Sequence, residues 1–156
     1  MTTSIKTFLK QYIKQCRYIS QGDDPYCVPI AIANARIHLG LKPPDVESLG
    51  VKMDCRDDGP YQCVVDASMK EYLGKWIYRT RSFDKFMKTG GVVVIKGGDN
   101  PSDLHCCLCL VEKDRDTYTL INAFDSGPNV LTGYTQKEVK RLVPISKSRQ
   151  NFWAFK

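Results

Sequence analysis

Seven cysteines and two histidines stand in a chain of 156 residues. A thiolate with an imidazole beside it is a nucleophile and base suited to attack on an acyl carbon. Cys27 has the position that such chemistry needs. It lies between the turn-rich run SQGDDPYC and an apolar stretch, residues 28–39, and Pro29 follows where a missing amide suits a first helical turn. The partial positive charge of a helix N-terminus stabilises a thiolate and lowers the thiol pKa. The base must then be His38 or His105. His38 falls on the same helix, roughly 16 Å from Cys27 at 1.5 Å per residue and outside hydrogen-bond reach. His105 remains, at the start of a strand that follows a loop containing Gly, Asn and Pro.

A third group is expected one strand further on. Asn122, in LINAFDSG, ends the strand that the KDRD turn pairs with the His105 strand, so hairpin pairing sets it beside the imidazole, where it can hold the productive tautomer. Asp125 is the rival, although an Asp before Ser-Gly is the ordinary composition of a turn. Gln21, ahead of Cys27 across GDDPY, can donate its amide to an oxyanion together with the Cys27 backbone N–H. Taken singly, a cysteine in an apolar helix is most often a packing residue, and a histidine at a strand end is most often structural. In combination, a helix-start cysteine, a later strand-start histidine and an amide one strand beyond have the order that a Cys-His-Asn site requires.

Metal binding is the competing use of a cysteine-rich chain. HCCLC lacks the C-x-x-C spacing of zinc knuckles, and alternate residues of a strand stand roughly 6 to 7 Å apart, too far for one zinc with bonds near 2.3 Å. Cys106, Cys107 and Cys109 therefore read as strand-filling residues, with no metal or other cofactor expected. Cys55 and Cys63 flank a polar DDGP turn and receive no role.

The elements that must position these groups follow from periodicity. Apolar residues at 5, 8, 9, 12 and 13 predict a docking helix over 5–18. The helix from about 28 is apolar on nearly every face and so belongs in the core; Gly40 and Pro43-Pro44 stop it. Further helices are expected from about Pro60 to Leu73, with Gly74 as its end, and over 82–88. Strands are expected over 92–95, 107–112 and 118–124. The run TQKE, from Thr135 to Glu138, has capping-box form and predicts a last short helix before Pro144. Helices first and an antiparallel sheet second make an α+β domain, and without repeats or linker-like tracts residues 1–156 read as a single domain.

Composition narrows the class. Hydrophobic residues make up 42% of the chain, enough for a sizeable core, and no apolar stretch approaches the roughly 20 residues of a membrane span. The net charge is +6, but Lys and Arg are scattered, which describes a solvated basic surface rather than a nucleic-acid site. An N-terminus without a signal-like apolar core and an odd cysteine count imply reduced thiols, in a cytoplasmic or host-intracellular setting.

The order and spacing of these motifs resemble the papain-like cysteine peptidases, and among them the bacteriocin-processing (double-glycine leader) type. QGDDPYC is similar to the family's oxyanion glutamine followed by its nucleophile, and Cys27-Val-Pro-Ile-Ala to its helix start. PPDVESLG, DDGPYQCVVDASMKEYLG and SFDKFMKTGGVVVIKGG follow its order of elements, and LHCCLCLVEKDRDTYTLINAFDSG resembles its histidine strand, turn and Asp-Pro strand end. Val28 and Leu104 stand where that family has glycine, and Asn122-Ala123 where it has Asp-Pro, which moves the site toward a Cys-His-Asn triad. The resemblance implies a papain-like fold whose buried central helix carries the nucleophile, and a protease acting on peptide or protein substrates through Cys27, His105, Asn122 and Gln21. An acyl transferase or deamidase would use the same residues and differ only in what resolves the thioester. A binding module that keeps the scaffold without the chemistry is the non-enzymatic alternative.

Overall fold

The chain is described by a computed structural model over residues 17–20, 26–55, 62–96, 104–113, 116–124, 128–147 and 150–156. Helix α1 spans Cys27–His38, α2 Val46–Lys52, α3 Gln62–Leu73, α4 Phe83–Thr89 and α5 Gln136–Leu142. The strands are β1 (Ile77–Thr80), β2 (Gly91–Lys96), β3 (Leu104–Glu112), β4 (Thr117–Ile121), β5 (Val130–Thr135) and β6 (Phe152–Phe155). They form one sheet in the order β1-β6-β2-β3-β4-β5, and every neighbouring pair is antiparallel. The expected class, helices with an antiparallel sheet, is the class observed.

Alternation along β2 explains the layering. Val92 joins a core cluster with Ala31, Ile32 and Ala35 of α1, Leu49 of α2 and Met69 and Leu73 of α3. Val93 and Ile95, pointing the other way, join Phe86 and Met87 of α4 and Val139 of α5. Successive side chains of a strand point to opposite faces, so VVVI is apolar throughout because helices cover both sides of the sheet.

Local signals end the helices where expected. Gly40, at φ 76°, closes α1, with the Gly40 N–H on the Ile37 carbonyl at 3.1 Å and the Leu41 N–H on the Arg36 carbonyl at 2.8 Å. This is a Schellman end, which glycine forms without a Cβ penalty. Thr135 and Glu138 make the reciprocal bonds of the capping box at α5.

Other boundaries differ from the sequence reading. The second expected strand begins at Leu104, three residues earlier, because residues 104–106 pair with β2. The third ends at Ile121 rather than Phe124, since Asn122 turns to φ 57° and leaves the ladder. Strands β1, β5 and β6 and helix α2 carry no expectation from periodicity, each being short. The predicted helix over 5–18 lies outside the described residues apart from its last two. Among the described residues no helix is long and apolar enough to cross a membrane.

Candidate active site

Cys27 is the first residue of α1. Tyr26 caps the helix at φ −107° and ψ 29° without a side-chain hydrogen bond, and no acidic residue lies in the first turn to offset the positive end of the helix dipole. The Tyr26 ring lies over Gly50 of α2, where an added Cβ would stand 2.5 Å from it. Cys55 follows that contact, its N–H donating to the Gly50 carbonyl at 3.0 Å. Cys27 itself is half-buried and packs on the cluster that contains Cys106.

No disulfide joins Cys27, Cys55, Cys106, Cys107 and Cys109, and these thiols are not equivalent. Burial pushes Cys55 up to about 11 and Cys109 up to about 12. Burial also carries Cys106 and Cys107 well above the ordinary thiol range. The Cys27 sulfur adds to the rise at Cys55, Cys106 and Cys107, so it lies within electrostatic range of all three. Thiols raised in this way stay protonated at neutral pH and are poor nucleophiles. Cys27 differs from them in position, as the first residue of a helix whose first turn holds no acidic side chain.

His105 is buried at the second position of β3, opposite Ile95 of β2. On its other side β3 pairs with β4 only from Leu108 onward. Ahead of that pairing His105 meets Asn122, the residue after β4. There Nε2 of His105 lies 2.5 Å from the main-chain carbonyl oxygen of Asn122. A carbonyl can only accept, so Nε2 carries the proton and donates it, and Nδ1 of the neutral ring is left as the acceptor.

The structure thus joins His105 to Asn122, and it does so through the Asn122 carbonyl. It packs Cys27 against the cluster of Cys106, the next residue of the same strand. Strand alternation turns His105 toward the Cys107 face and Cys106 toward α1. His38 sits at the far end of α1 with its ring 5.3 Å from that of Phe155, on the side away from Cys27. Gln21 and Asp125 lie outside the described residues.

Two residues that the sequence reading gave no role hold this arrangement. Asn34 is fully buried in α1; its Oδ1 accepts from the Ile19 N–H at 2.8 Å and its Nδ2 donates to the Ile19 carbonyl at 3.0 Å. Asn129 Nδ2 donates to the Tyr18 carbonyl at 3.1 Å, and the Asn129 carbonyl accepts from the Asn122 N–H at 2.8 Å. A lone amide in AIANARI is a signal that could have marked Asn34. Asn129, in a Gly-Pro-Asn turn, has none.

A cleft of about 340 Å³ between α3 and β1, lined by Asp66, Lys70, Arg79 and Trp153 among others, includes neither Cys27 nor His105. Among the described residues no three His, Cys, Asp or Glu side chains stand together in a way that would hold a metal ion. The architecture is that of an α+β domain, with helices packed on both faces of an antiparallel sheet. Among solved structures it matches the peptidase domain of Streptococcus ComA, a bi-functional ABC transporter involved in a quorum-sensing pathway. The TM-score is 0.60, covering 88% of this chain and 97% of that one at 13% identity. At that identity the likeness is one of fold. No family model and no curated protein matches the sequence.

Proposed function

We propose that this chain is a papain-like thiol peptidase or isopeptidase with Cys27 as nucleophile and His105 as base. The observation that carries the reading is the bond from His105 Nε2 to a main-chain acceptor, which leaves Nδ1 of the neutral ring as the acceptor, in a chain whose α1 begins at a cysteine. A fold shared with a peptidase domain and the place of Cys27 at a helix start, against four other thiols raised by burial, support it.

In the reaction His105 Nδ1 takes the Cys27 proton, and the thiolate attacks the amide carbon of a peptide substrate. The developing oxyanion is met by the Cys27 N–H and the Gln21 side-chain amide. His105 returns the proton to the leaving amine as the C–N bond breaks. It then deprotonates the water that hydrolyses the thioester, and Cys27 is regenerated. Asn122 keeps the imidazole in the required tautomer throughout.

An acyl-type thiol probe tests this on the purified chain, followed by turnover of peptides selected from a library. Labelling and turnover are expected to vanish in Cys27→Ala, and turnover to fall by about 10² to 10⁴ in His105→Ala. Turnover that survives Cys27→Ala overturns the assignment.

A further inference from the structure

We infer that the His105 imidazole is oriented by main-chain geometry, and that Asn129 is the positioning residue that sets it. The inference deepens the reading of His105 as base and rests on it. Asn122 and Asp54 are the non-glycine residues with positive φ among those described, and Asn122 is at 57°. Asparagine enters the left-handed region more readily than other side chains, whereas a Cβ-bearing residue without a local hydrogen bond is strained there. In that conformation the Asn122 carbonyl leaves the β4 ladder and accepts from His105 Nε2. Asparagine at this position suits the backbone it adopts.

What holds that backbone is Asn129. Its carbonyl takes the Asn122 N–H, and its side-chain amide donates to the Tyr18 carbonyl. The next residue, Ile19, is clamped from both backbone atoms by Asn34 of α1. The bonds run from Asn34 through residues 18–19, Asn129 and Asn122 to His105. Helix α1 also begins at Cys27, so nucleophile and base hang from one frame although strand β3 and helix α1 are far apart in sequence. The same frame holds the segment that leads into Gln21. A catalytic pair tolerates little error in mutual placement, and a network of this kind restricts it.

The test reads the imidazole directly. In ¹⁵N-labelled Cys27→Ala, the histidine ring nitrogens identify which one is protonated, and His38, at the far end of α1, serves as internal control. His105 is expected as the Nε2–H tautomer in this background and in the added variant Asn122→Gly, because glycine adopts the left-handed region freely and keeps the carbonyl. With Asn129→Ala the His105 signals should shift toward a mixture of tautomers, and the Asn122 amide should exchange with solvent at least about tenfold faster as its acceptor loosens. Loss of the Nε2–H tautomer in Asn122→Gly would show that the Asn122 side chain orients the ring. An unchanged tautomer and unchanged Asn122 exchange in Asn129→Ala would remove the role given to Asn129. Either result is separate from the thiol-probe experiment, which tests the peptidase reading itself. Asn122→Gly and Asn129→Ala each retain a main-chain carbonyl at the substituted position, and the His38 signals report whether the fold is kept.

Discussion

At the scale of single residues the thiols separate by environment. A thiol whose pKa stands at about 11, as at Cys55, is ionised to about one part in ten thousand at pH 7. Iodoacetamide at slightly acidic pH is therefore expected to label Cys27 before Cys55, Cys106, Cys107 or Cys109, read by mass spectrometry of partly labelled chain. Earlier labelling of Cys55 would move the nucleophile elsewhere. The buried thiols also make a prediction for stability. Their folded pKa values lie above the ordinary 9.0, so above that pH the unfolded chain releases protons that the folded chain keeps. Stability then falls as pH rises, by roughly 1.4 kcal/mol per pH unit for each thiol that stays protonated. For Cys109 the loss runs from about 9 to about 12. Urea midpoints of Cys109→Val should decline less steeply between pH 9 and 10.5 than those of the parent, and equal slopes would refute this.

At the scale of elements, the site depends on how α2 and Tyr26 meet at the α1 start. Gly50 is required by the Tyr26 ring, since the Cβ of an alanine would fall 2.5 Å from it. Gly50→Ala should displace Tyr26, the residue next to Cys27. We expect the rate of Cys27 alkylation to change by about threefold or more while the urea midpoint shifts little, because the obstructed atoms belong to a side chain that can move. An unchanged rate would show that Tyr26 has no hold on Cys27. Asn34 shows how far an element can be read from its own pattern. The apolar run that buries α1 is plain in the sequence, but the reason for an amide within it appears only with Ile19 beside it.

At the scale of the molecule the C-terminal strand is central. Strand β6 lies between β1 and β2, and all four of its residues are buried. Phe152 is fully buried and packs against Phe86, ring centroids 5.1 Å apart. Phe152→Ala is expected to cost about 3 to 5 kcal/mol in urea unfolding. A cost under about 1 kcal/mol would mean that β6 is dispensable to the core. Gly91 permits the same insertion. At φ 146°, an added Cβ would come 2.0 Å from the Trp153 carbonyl oxygen, so β2 and β6 could not keep this approach with any larger residue there.

The sequence by itself determined what short-range physics controls. The α1 start at Cys27, its glycine stop at Gly40, the capping box at Thr135 and the β3–β4 hairpin all arise within a few residues of chain, where propensity and capping act directly. It also ruled out His38 as partner of Cys27, because one rigid helix carries both. Tertiary structure alone decided the rest. Strands β1, β5 and β6, unlike the VVVI run of β2, carry no continuous β-branched stretch, and become strands because neighbours supply their hydrogen bonds. The contact at His105 followed the same rule. Sequence order singled out Asn122, but that its carbonyl would meet Nε2 depends on Asn129 and on a left-handed turn. A backbone conformation held by a residue beyond the turn leaves no imprint in the residue types nearby.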